Sequence, residues 1–413
     1  MTIIPLTNAL NKTLTKTIMH VGEMASGAQL TVPVYKITAP INNSNEKIPS
    51  VYIQANMHGA EVQGNAVIFQ LLELLKDIDI KADITLVPYA NPVGCNHKNG
   101  EYTLGRFDPI TGVNWNRMYH FDSSIIVPFA EQHLSSSDEE LESAFKALML
   151  EQIDQKLDHN IYGITTGQRI AYQLQRMAHK ADLVLDLHTG PISSKHLYCP
   201  EYCKDSARFF DIPHTLFIPN DFDGALDEAT FCPWWSLQQA FQELGREMPL
   251  TQGAINKESF TVELGSQEQI DLDVAHQDAL GILSYLNFKG ILGGQKSNDL
   301  GSRAVRANDR LKNNSLARFQ PQKMIRYACY LKDYKAFYSP MGGMVDYLAE
   351  FGKPLPAGEP LARILRMDNY GDGDALHYLS LDHEVLPILH FASASVNQGT
   401  ELYKVFSDFF VLS

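Results

Sequence analysis

Apolar and polar positions divide the chain into two territories. Up to about residue 290, apolar runs of strand length alternate with longer stretches whose apolar residues recur at helical spacing. Val51-Tyr52-Ile53-Gln54-Ala55 is apolar and β-branched and reads as a buried strand. Asn65 to Lys76 carries a helical pattern, and Asp83 to Pro88 is another strand that runs into the turn signal Asn91-Pro92. This β-α-β order predicts an α/β fold with a mixed, mostly parallel central sheet flanked by helices.

Residues 1–30 are polar and suggest no element. Leu30 to Ile37 alternates like a strand, and Pro33 within it suggests an edge. Residues 120–180 read as a mostly helical insertion, long enough to cover a site: Ser136-Ser137-Asp138-Glu139 can cap one helix, and Thr166 to His179 forms a second. Ala181 to Gly190 is a buried strand, His196 to Cys199 and Leu216 to Pro219 are shorter ones, and Ser259 to Gly265 is a further strand. Asp221 to Trp235 reads as an acidic, aromatic loop suited to a pocket wall or lid, and Asp271 to Leu286 as a helix.

Beyond residue 290 the pattern changes. Gly290 to Asn314 is linker-like, and from Gln322 short strands alternate with turns, as in Gly343–Tyr347, Pro360–Leu365 and Glu401–Phe406. The expected organisation is a catalytic domain over 1–315 and a small all-β domain over 316–413.

Composition narrows the function classes. The 413 residues are 45% hydrophobic and 20% charged, an ordinary globular balance. The net charge of −14 argues against nucleic acid, whose phosphates need a basic face. Five cysteines, an odd number without a C-x-x-C, read as free thiols in a reducing compartment. No basic and apolar leader opens the sequence, and no window reaches the roughly 20 apolar residues of a membrane span. The expected location is the cytoplasm, with no membrane partner; a homo-oligomer is left open.

The chemistry gathers at strand ends. His58 and Glu61 follow the Val51–Ala55 strand, three residues apart, a spacing that puts them on one face of a helical turn. His188 ends the Ala181–Gly190 strand, where Asp186 shares its face. Two imidazoles and a carboxylate suit Zn²⁺ and leave a position for water. Glu263, near the end of its own strand, can accept a proton. Arg106, Asn116 and Arg117 lie in the polar stretch after Gly94 and fit an anion-binding wall.

These residues occur in the order found in zinc carboxypeptidase-fold enzymes. More closely, Asn56-Met57-His58-Gly59-Ala60-Glu61, Asn91-Pro92, Arg106-Phe107 and Asp186-Leu187-His188 resemble the succinylglutamate desuccinylase/aspartoacylase family. Ser339 to Val345 and Phe351 to Leu361 resemble the lipoyl-like β-domain of that family. The resemblance implies one Zn²⁺ per chain held by His58, Glu61 and His188, with Glu263 as general base and then acid. It implies that Arg106 polarises the scissile carbonyl and that Asn116 and Arg117 hold a substrate carboxylate. Asp186 is either a carboxylate orienting a zinc histidine or a capped buried acid. One departure stands out: Asn114-Trp115 replaces the family's usual Asp-Leu, and the bulky Trp115 bears on the pocket's shape. The expected activity is a zinc amidohydrolase acting on a small N-acyl amino acid. The rivals are a carboxypeptidase on the same site and a non-catalytic binding protein of the same fold.

Overall fold

The computed structural model describes residues 2–4, 12–40, 47–253, 255–293, 319, 321, 323–371 and 373–412. Its polar N-terminus, to which the sequence pattern assigned no element, forms two strands: β1 (Thr2–Ile4) and β2 (Thr13–Glu23). Threonines supply the β-branched stiffness in β2, while Leu14 and Val21 face the core. Next comes β3 (Gln29–Thr38), which is not an edge strand as Pro33 suggested. Its ladder with the neighbouring strand on the far side covers only Tyr35 to Ile37, so the missing N–H of Pro33 falls beyond that ladder.

The alternation then proceeds through β4 (Val51–Ala55), α1 (Gln63–Leu75) and β5 (Ile84–Val87). The insertion holds α2 (Ile126–Gln132), α3 (Asp138–Asp158) and α4 (Thr166–Ala178); Ser137 with Glu140 and Thr165 with Gln168 form capping boxes at α3 and α4. After it come β6 (Leu183–Gly190), β7 (His196–Pro200), β8 (His214–Ile218), α5 (Leu226–Glu243), β9 (Glu258–Ser266), α6 (Leu272–Phe288) and β10 (Tyr327–Tyr330). The stretch expected as a loop over Asp221 to Trp235 is therefore helical from Leu226. Pro233 interrupts the sequence pattern there, but Phe231 and Trp234 are buried helical residues.

The main sheet has 11 strands, in the order β1-β2-β3-β5-β4-β6-β9-β7-β8-β10 and then Phe410–Val411. Its middle is largely parallel, with β5-β4, β4-β6 and β6-β9 in line and a single antiparallel step, β9 to β7, before β8 and β10. Every residue of β4 and β6 is buried, as befits strands covered on both faces. Leu71 and Leu75 of α1 pack with Leu283 and Leu286 of α6 on one face. Ile170 and Leu174 of α4 pack with Tyr52, Trp115 and Val184 on the other.

The C-terminal region builds two four-stranded sheets around Val345, Leu361, Ile364, Leu402 and Tyr403. The two regions exchange strands. β10 joins the main sheet, and the short strand Ile192–Ser193 pairs with Leu389 and His390 in a C-terminal sheet. Of the expected linker, everything after Gly293 up to residue 314 lies outside the described residues. Among the described residues no helix is long and apolar enough to cross a membrane.

Candidate functional site: a His–Glu–His cluster at the sheet edge

At the end of β4 the backbone turns at Asn56, which takes a φ of 63°, a left-handed value that Asn tolerates. The turn is stapled on all sides: Asn56 Nδ2 donates to Glu61 O at 2.9 Å, and Asn91 Nδ2 donates to Met57 O at 2.9 Å. Gly59 is required, because a Cβ there would sit 2.1 Å from the carbonyl oxygen of Gly94. His58 and Glu61 thus lie in the β4–α1 turn and not on a helical turn, as α1 starts only at Gln63.

The turn still brings them together, and β6 brings His188 to the same place. Glu61 Oε1 is 2.9 Å from His58 Nδ1, and Oε2 is 2.7 Å from His188 Nδ1 and accepts from Thr189 N at 3.1 Å. One donor atom from each of the three residues lies within 4.8 Å of the others, and all three residues are buried. Burial alone would raise the Glu61 pKa, but the flanking His58 and His188 hold it well below the usual carboxylate range. His188 goes the other way: Asp186 and Glu61 outweigh its burial and push its pKa well up.

The outer ring nitrogens are also engaged. His58 Nε2 is 2.7 Å from Asn114 Oδ1, which also accepts the Asn116 N–H at 2.9 Å. A backbone N–H can only donate, so the Asn114 atom facing both is its oxygen. His58 Nε2 must then carry the proton, which leaves the Nδ1 lone pair facing Glu61 and His188. His188 Nε2 lies 2.9 Å from Asp186 Oδ2, and Asp186 Oδ1 accepts from Gln54 Nε2 at 3.0 Å. Asp186 Oδ2 is buried without a partner of hydrogen-bond geometry among the described residues, so its link to His188 is one of charge. Two Nδ1 atoms and a carboxylate facing one point are a donor set that fits a divalent metal ion.

Glu263 is paired in register with His188 on the adjacent strand β9. Its Oε2 is buried with no hydrogen-bond partner among the described residues. Burial, reinforced by Glu61, pushes its pKa up to about 7 against the opposing pull of His188 and Arg106.

The remaining expected residues converge on the same cleft, which has a volume of about 380 Å³. Arg106 reaches Glu61 Oε1 at 3.3 Å from a half-exposed position. Asn116 is buried, with Nδ2 3.4 Å from His188 Nε2 and Oδ1 accepting the Leu226 N–H at 3.3 Å. Arg117 is exposed and pairs with Asp223 at 3.3 Å. Trp115 is fully buried in the core beneath the cleft and is not part of its wall. No residue of the 120–180 insertion lines the cleft, so the expected cover is absent; α4 packs instead against β2, and α2 against α5.

Several lining residues carried no sequence signal. Leu331, Tyr334 and Lys404 come from the C-terminal region, whereas Asp221, Asp223, Asp227 and Glu228 lie in the stretch expected as a pocket wall and do line the cleft. Thr261 was within reach of the strand rule, since it lies two residues before Glu263 on the same face.

A mixed α/β sheet with this cluster at the carboxyl edge of its parallel strands places the chain among hydrolases. The chain belongs to the succinylglutamate desuccinylase/aspartoacylase family, whose catalytic-domain profile matches residues 47–289. A solved structure of a family protein from Shewanella frigidimarina is 50% identical, with a TM-score of 0.87 over 97% of this chain and 99% of that one. Another, from Shewanella amazonensis, is 49% identical, with a TM-score of 0.86 over 96% and 100%. A product-bound ectoine utilization protein from Ruegeria pomeroyi shares the fold at 16% identity, with a TM-score of 0.61 over 98% of each chain. No curated protein matches the chain.

Proposed function

We propose that the chain is a zinc-dependent amidohydrolase that cleaves an N-acyl amino acid, or a related small carboxylate, into a carboxylate and a free amine. One observation carries this reading: two Nδ1 atoms and a carboxylate face one point, beside a glutamate whose buried oxygen has no partner among the described residues. His58, Glu61 and His188 would hold one Zn²⁺ per chain. When bound, the ion lowers the pKa of a water and polarises a carbonyl. Glu263 takes the proton of the attacking water and hands it to the departing nitrogen. Arg106 polarises the carbonyl oxygen from the rim. Arg117, oriented by the buried Asn116, pairs with the substrate carboxylate.

The chain is read as a hydrolase domain to about residue 315 and a β-domain after it. The small cleft and its wall of Leu331, Tyr334 and Lys404 favour a small molecule over a peptide. A cytoplasmic setting accords with five free cysteines. The test is hydrolysis of N-acetyl, N-succinyl and N-formyl amino acids by zinc-loaded protein, with C-terminal peptide substrates in parallel. Release of amine from one acyl series, abolished by chelation and restored by zinc, is the expected result. Peptide cleavage alone, or acyl hydrolysis by demonstrably metal-free protein, overturns the reading.

A further inference from the structure

Four carboxylates, Asp221, Asp223, Asp227 and Glu228, line the cleft beyond Arg117. Three of them have evident local roles or lie in solvent. Asp223 pairs with Arg117. Glu228 Oε2 accepts the N–H groups of Asp223 at 2.6 Å and Ala225 at 3.1 Å, which secures the start of α5. Asp221 is exposed. Asp227 differs: it is 3% exposed, and its Oδ1 is buried with no hydrogen-bond partner among the described residues.

Asp227 is also held firmly in the site. The preceding residue, Leu226, donates its N–H to Asn116 Oδ1, and Asn116 in turn touches His188. Thr261, which shares a strand face with Glu263, lies beside it. The first turn of a helix favours a carboxylate, which explains why an acid stands there. It does not explain why the Glu228 backbone and Thr261 side chain, which do bond the carboxyl group, leave Oδ1 without a donor, because desolvating a carboxylate is costly unless it is fully paired. Burial, with Glu228 and Asp186 adding to it, pushes the pKa of Asp227 up to about 7, and a cation in the cleft would reverse that penalty.

We propose that Asp227 recognises an ammonium group on the substrate, so that the compound hydrolysed is an N-acylated diamino acid carrying a free amine as well as a carboxylate. This rests on the amidohydrolase reading and specifies its substrate. A guanidinium, Arg117, and a buried carboxylate, Asp227, on one cleft wall match the two charges of such a zwitterion. An ammonium has three donors, enough to bond both the Asp227 carboxyl group and the Thr261 hydroxyl. The ammonium recognised is the side-chain one, so the acyl group sits on the α-nitrogen.

Calorimetry on the zinc-loaded protein tests this with L-ornithine and with L-norvaline, which has the same carbon skeleton without the side-chain amine. Ornithine is expected to bind at least about tenfold more tightly, the effect of a charge-assisted hydrogen bond. Asp227→Asn, nearly isosteric and checked for folding by circular dichroism, should erase that ratio. Equal affinities, a preference for norvaline, binding of neither, or an unchanged ratio in the Asn variant each overturn the inference. Hydrolysis of Nα-acetyl-ornithine and not of Nδ-acetyl-ornithine is then expected. If neither is cleaved, nor any other N-acyl compound, while selective ornithine binding persists, the amidohydrolase reading fails and the recognition of an amine stands.

Discussion

The side-chain oxygen of Asn114 lies 2.7 Å from Nε2 of His58 and fixes which ring nitrogen keeps its lone pair. An Asn replaces the family's usual Asp here without losing the acceptor. Asn114→Ala should therefore weaken zinc binding by about 10–100-fold, the usual effect of removing a partner behind a metal-binding histidine. Competition with a chromophoric chelator measures it. Asn114→Asp should bind zinc at least as well as the native chain. An Ala variant with native affinity would show that the contact orients nothing.

Glu263→Gln preserves shape but cannot accept a proton. Zinc content should stay near that of the unaltered chain, while kcat falls about 10²–10⁴-fold and KM changes little. Metal analysis and steady-state kinetics on one preparation separate the two effects. A variant that loses stability but keeps its kcat would make Glu263 a structural carboxylate.

Asp227 makes stability depend on pH in a direction unusual for a carboxylate. Its folded pKa, near 7, lies above its unfolded value, so the folded state holds the extra proton and loses stability as pH rises through that window. Metal-free Asp227→Asn should therefore gain on the native chain between pH 5 and pH 8, by on the order of 2–3 kcal/mol. Urea denaturation at the two pH values reads this out. An equal difference at both would mean that Asp227 does not titrate there.

Lys257 is buried between Asp182 and Glu142, at 2.7 Å from Glu142 Oε1. Lys257→Met leaves those carboxylates short of a partner and should cost about 3–5 kcal/mol at neutral pH. Asp182 is raised by its burial, but Lys257 and Lys146 more than offset this and hold its pKa low. The stability this pair contributes is present above the unfolded carboxylate pKa and disappears as pH falls through the folded one. The deficit of the Met variant should narrow in acid; a deficit independent of pH would point to lost packing instead.

The sequence placed His58, Glu61, His188 and Glu263 because each follows or ends an apolar run, and strand ends in such sheets share an edge. It missed β2, whose threonines alternate without a strong apolar face, and the start of α5, where Asp227 and Glu228 resemble an exposed loop. Tyr334 and Lys404 were out of reach for another reason. Their place in the cleft depends on how the C-terminal sheets dock, which no local pattern encodes.

That docking has a mechanical consequence. β10 is laced into the main sheet, and Ile192–Ser193 is laced into the opposing one. Swinging the Tyr334–Lys404 wall aside would mean stripping ladder hydrogen bonds on both sides, so it cannot act as a hinged door. The mouth is framed by elements tied into both sheets, so the ladders set its position. Cutting the chain near residue 315 would not release an unguarded enzyme. It would leave β8 as a raw, adhesive sheet margin.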